Sequence, residues 1–107
     1  MARNPNRVTE NQVALAVCKI AAGQQNGVAS FARLKRDIPG ILRLSAADQA
    51  TSQTRPNEEM WEQQIRNIKS HHDAPGNYIN DGYLVHVPRV GYEVTAAGRR
   101  RAQRGIS

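Results

Sequence analysis

A small α+β domain is the fold class that this chain of 107 residues predicts, and three observations predict it. Apolar residues recur at helical spacing in an early segment, Val13 to Ala21, and in a central one, Glu58 to His72. An extended pair, Gly82-Tyr-Leu-Val-His-Val87 and Gly91-Tyr-Glu-Val94, is joined by Pro88-Arg89-Val90. A lone apolar triplet, Val28-Ala-Ser30, is long enough for one more short strand. Apolar content of 39% in a chain of this length suits one core rather than two.

Each element has a local cause. Residues 1–8 are polar and basic with Pro5 inside them, which predicts a flexible basic arm. Thr9 precedes positions 13, 16, 17, 20 and 21, which share one helix face, and Gly23 ends that helix. Ser30 can cap a second helix that turns Phe31, Leu34 and Ile38 inward; Pro39-Gly40 stops it. Ser45-Ala-Ala-Asp48 combines a cap with an acid in the first turn, which predicts a short third helix. Pro56 is tolerated in a first turn, so the long helix is expected to begin at Asn57 and run to His72, burying Trp61, Ile65, Ile68 and His72. Asn80-Asp81-Gly82 leads into the hairpin, and Thr95 can cap a last helix from Ala96 to about Gln103. The expected organisation is an arm at 1–8, one domain at 9–104 and a tail at 105–107.

Fifteen Lys and Arg against nine Asp and Glu give a formal charge of +6, which favours a polyanionic partner. Cys18 is the only cysteine, so this chain can form neither an intrachain disulfide nor a thiolate cluster, and a reducing cytoplasm fits it best. No apolar window approaches a membrane span or a signal core, and no membrane partner is expected. His71-His72-Asp73, with His86 further on, suggests zinc ligands, but adjacent helical histidines diverge by about 100° and cannot easily share one ion. The reading assigns no metal, no cofactor and no catalytic residue, because no nucleophile–base constellation, phosphate loop or paired catalytic carboxylates emerges.

Helix, short strand, two helices, long helix, hairpin and basic terminal helix follow one another in the order of a winged helix-turn-helix. Within that order, Met60-Trp-Glu-Gln-Gln-Ile-Arg66, Tyr83-Leu-Val85 and Gly91-Tyr-Glu-Val-Thr-Ala-Ala-Gly-Arg99 resemble the N-terminal winged-helix module of Mrr-type restriction endonucleases, and Leu44-Ser-Ala-Ala-Asp48 fits that module too. The resemblance runs from about Val28 to Arg101. Similar modules on methyladenine-dependent restriction enzymes read modified DNA, so the resemblance implies a double-stranded DNA partner, adenine-methylated in the sharper form, and a cytoplasmic, nucleoid-associated place. No nuclease domain follows the hairpin here, so cleavage is not implied. The alternatives are a methylation-independent transcriptional regulator and a protein–protein interaction module.

A helix in the major groove reads bases through Arg, Asn and Gln near its start. Arg55, Asn57, Gln63, Gln64 and Asn67 are the candidates, with Met60 or Trp61 placed to meet a methyl group; Trp61 has a competing reading as a core anchor. Arg89, at the hairpin tip, is the best-placed charge for the backbone or an adjacent groove. Arg33, Lys35, Arg36, Lys69 and His71 are candidates for phosphate contacts. Glu58 and Glu59 are expected to oppose the dipole of the long helix, and Glu62 to pair with Arg66 four residues on. The Arg99 to Arg104 cluster reads equally as a DNA contact or as a complement to its own helix dipole.

Overall fold

A computed structural model describes residues 7–104; the arm expected at 1–8 falls largely outside that range, and the tail at 105–107 entirely so. Among the described residues the chain forms five α-helices and one small antiparallel sheet: α1 (Glu10–Ala22), β1 (Val28–Ser30), α2 (Phe31–Asp37), α3 (Ala46–Gln49), α4 (Met60–Ser70), β2 (Leu84–Val87), β3 (Gly91–Val94) and α5 (Ala96–Arg104). A single 3-10 turn, Ile38–Gly40, follows α2 where Pro39 disrupts the α pattern. The mixed α+β class expected from the sequence is the class observed.

Local caps explain most boundaries. Thr9 and Gln12 form a reciprocal capping box on α1, and Ser45 and Asp48 do the same on α3. Ser30 Oγ accepts from Arg33 N at the head of α2, and Thr95 Oγ1 accepts from Gly98 N at the head of α5. The sheet has the order β1-β3-β2, with Ala29 opposite Tyr92 and His86 opposite Tyr92 from the other side. Leu84, Tyr92, Val94 and Ala29 turn toward a single hydrophobic cluster that also takes Val13, Val17, Leu34, Ile38, Trp61, Ile65 and Ile68. Tyr92, fully buried, donates its hydroxyl to Ile65 O at 2.6 Å and meets Phe31 edge-on, so the middle strand is bonded directly to α4.

The long helix departs from expectation at both ends. It starts at Met60, not Asn57, because residues 51–59 fold back on themselves: Thr51 bridges Glu59, Ser52 N donates to Glu58 O, and Met60 N donates to Ala50 O. Glu59, extended at φ −85° and ψ 160°, caps the helix through a reciprocal box with Glu62. At the other end His71 leaves helical geometry, so His72 is exposed and does not extend the buried stripe of Trp61, Ile65 and Ile68. The end of the expected arm is tied down at Val8, whose N–H donates to Asp48 and whose carbonyl accepts from Gln64 Nε2.

Candidate nucleic-acid interface

The face of α4 opposite its buried stripe carries Gln63, Arg66, Asn67 and Ser70, with Lys69 on the flank nearest β2. Lys69 is exposed, and its charge together with burial holds the His86 imidazole of β2 below its ordinary pKa, burial being the larger cause. His86 is therefore neutral at physiological pH, with its ring 5.7 Å from Tyr92. The Tyr92 hydroxyl bond to Ile65 O ties the hairpin to the middle of α4. At its tip Val90 N donates to Val87 O, and Arg89 is the only non-glycine described with positive φ, at 66°. A side chain in that left-handed region costs about 1 kcal/mol relative to glycine. Arg89 is exposed and has no hydrogen-bond or ion-pair partner among the described residues.

Of the acids that crowd the start of α4, Glu58 is neutralised within the fold, and Glu59 and Glu62 are hydrogen-bonded by neutral donors. Glu58 precedes the helix and is 7% exposed; its carboxylate accepts from Arg66 Nε at 2.9 and 3.0 Å and lies 3.5 Å from Lys35 Nζ. The Arg66 hydrogen bonds are the main reason its carboxyl is held below the usual range. The ion pair of Arg66 is thus with Glu58, eight residues away, rather than with Glu62, and Glu58 does not occupy the helical first turn expected for it. Glu62 Oε1 accepts from Glu59 N, while Glu59 Oε1 accepts from Trp61 Nε1.

The remaining candidates fall into five groups. Arg55 and Asn57 sit on an exposed loop instead of the helix, lining a cleft of about 280 Å³ with Thr54, Pro56, Glu58 and Arg66. Trp61 is 4% exposed and belongs to the core, so it presents no surface to a base; Met60, one residue earlier, is half-buried. The amides of Gln63, Gln64 and Asn67 are half-exposed but partly engaged: Gln63 accepts from Ser52, Gln64 donates to Val8 O, and Asn67 donates to Gln64. His71 Nδ1 lies 2.6 Å from Glu10 Oε1. Arg33 and Arg36 both pair with Asp37, at 3.5 and 3.0 Å, and are therefore partly neutralised as phosphate contacts.

One feature escaped sequence reading. Asn77, 3% exposed, donates to Ile68 O and Glu10 Oε2 while its Oδ1 accepts from Ile79 N and Asn80 N, so one amide joins the end of α4, the start of α1 and the entry to the hairpin. Its position after Gly76 in a turn was the available signal. The basic cluster read at the end of the chain lies on α5, where Arg99, Arg100, Arg101 and Arg104 pair with no carboxylate among the described residues. The described residues contain no group of three or more His, Cys, Asp or Glu able to hold a metal ion, and no helix among them is long and apolar enough to cross a membrane. Comparisons with family models, with curated proteins and with solved structures return no match for this chain.

Proposed function

We infer that this chain is a winged-helix protein that binds double-stranded DNA, laying the outer face of α4 in the major groove and the β2–β3 hairpin against the backbone or the adjacent groove. The observation that carries the reading is Arg89: an unpartnered cation at the hairpin tip, in a backbone conformation where glycine would cost less, beside a helix whose outer face bears amides. The element order and the antiparallel sheet with β1 beside β3 support it, as does the net charge of +6. The electrostatic objection is met at Glu58, which Arg66 and Lys35 neutralise, while Glu59 and Glu62 accept from neutral donors and keep their charge. The resemblance of the Trp61 and Tyr92 segments to Mrr-type modules supports the same reading and extends it to N6-methyladenine. No catalysis is assigned.

A second reading, a regulator indifferent to methylation, draws on the burial of Trp61, which leaves Met60 as the only apolar side chain at the start of α4 for a methyl group to meet. Fluorescence anisotropy with matched methylated and unmethylated duplexes, over a range of salt, tests both. The expected result is salt-dependent binding that Arg89→Ala weakens about tenfold while reducing the salt slope by about one ion. Equal affinity for the two duplexes selects the second reading; no binding at low salt removes both.

A further inference from the structure

We propose that α5 is a second duplex-binding surface, which lets one chain hold two DNA segments at once. The inference rests on the duplex-binding reading of α4 and the hairpin, and it concerns a different part of the molecule.

Sequence and structure converge on this helix. Residues 96–104 contain four arginines and no acid. Elsewhere four cations share two carboxylates: Arg33 and Arg36 pair with Asp37, and Lys35 and Arg66 with Glu58. On α5 the partners are neutral. Arg99 donates to Ala22 O, the last carbonyl of α1, and Arg101 Nε donates to the Tyr78 hydroxyl at 3.3 Å. Both guanidiniums keep their full charge while losing freedom, which lowers the entropy cost of presenting them to phosphate. Arg99 has a prepared seat, because a Cβ on Gly27, at φ 72°, would fall 2.9 Å from its Nη2. Arg100 and Arg104 are exposed with no partner among the described residues. Lys19, Ala22, Arg99, Ala102 and Gln103 line a cleft of about 400 Å³ between α1 and α5.

Two placements separate this surface from the first. The helix starts at the base of the hairpin, where Thr95 N donates to Tyr83 O, and strand geometry puts that base about 15 Å from the tip. It meets the C-terminal end of α1, whereas His71 at the end of α4 meets Glu10 at the N-terminal end, roughly 18 Å away along that helix. A phosphate backbone is the occupant that the chemistry favours. Arginine forks match phosphate oxygens, and the exposed face of α5 carries no large apolar side chain with which to enter a lipid interface.

The test mixes short duplexes labelled with donor and acceptor and reads energy transfer, with anisotropy giving single-duplex affinity and sedimentation giving the protein's oligomeric state. The wild-type chain should bring two duplexes together as a monomer. The double variant Arg100→Ala/Arg104→Ala removes no contact of the fold; it should lose bridging at least fivefold while single-duplex affinity stays within about twofold. Arg89→Ala should do the reverse, weakening the first duplex more than the second. One-to-one binding without energy transfer overturns this proposal and leaves the function proposed above standing, as does bridging that survives the α5 variant or tracks a protein dimer. Failure to bind any duplex overturns both.

Discussion

The α2–α4 side and the α5 side of this protein hold their cations differently: on the first, four of them share two carboxylates, and on the second none meets a carboxylate among the described residues. On the first, Asp37 and Glu58 pair with Arg33, Lys35, Arg36 and Arg66 and halve their charge, and the helix face beyond them is mostly polar, with Lys69 and, at the hairpin tip, Arg89. On the second, four arginines lean on a carbonyl, a phenol and solvent. Formal charge along a sequence therefore says little about where the field emerges; pairing across the fold decides that.

Trp61→Ala should have the largest effect, because it empties the core beneath α4 and leaves Glu59 without its indole donor. A loss of about 3–5 kcal/mol in chemical denaturation is expected, and a near-neutral result would return Trp61 to the surface. Gly98→Ala attacks the other side. Its Cβ would lie 2.2 Å from Tyr83 O and 2.7 Å from Val94 Cγ2, so α5 must shift, and a cost of about 2–3 kcal/mol should outweigh the better helix propensity of alanine. Next, Arg66→Ala strips a nearly buried carboxylate of its main donor and should cost about 1–2 kcal/mol, reduced by the exposure of Arg66, whereas Arg100→Ala should change stability by less than about 0.5 kcal/mol. Equal effects at the two positions would dissolve the contrast between the sides.

Acid titration is the mildest probe. The Glu58 carboxyl is depressed in the folded state, so its stabilisation is complete above the ordinary glutamate value of 4.5 and disappears as pH falls through the lower folded-state value. Thermal melts should show that decline below about pH 4.5, and Glu58→Gln should flatten it. Because α5 contains no acid, Arg100→Ala should leave the same acid limb unchanged.

Much of the fold was legible because its causes are local. Thr9, Ser30, Ser45 and Thr95 cap the helices whose starts they predicted, and Pro88-Arg89-Val90 turns the hairpin. The start of α4 was not legible, since Pro56 satisfies a helix-start rule while the deciding bonds, from Ser52 to Glu58 and from Met60 to Ala50, form only once the loop has doubled back. The same folding-back brings Glu58 to Arg66, a spacing of eight that no helical rule anticipates. The candidate site was legible in part: Arg89 and Lys69 are exposed where expected, while Arg55 and Asn57 left the helix and Trp61 went to the core. His71 and Glu10 are separated by sixty-one positions, and nothing in either segment announces the other.

Asn77 gives the hairpin its aim. Its four bonds fix the chain just before Tyr78, whose carbonyl then accepts from Tyr83 N and Leu84 N at the root of the strands. The finger behaves as a lever pivoting on that root, and with about 13 Å of strand beyond it a tilt of about 10° would swing the Arg89 tip by about 2 Å. An amide sealed from solvent thus governs the reach of the exposed cation at the hairpin tip, and exchanging Asn77 for a residue that merely fills its volume would leave that cation pointing elsewhere.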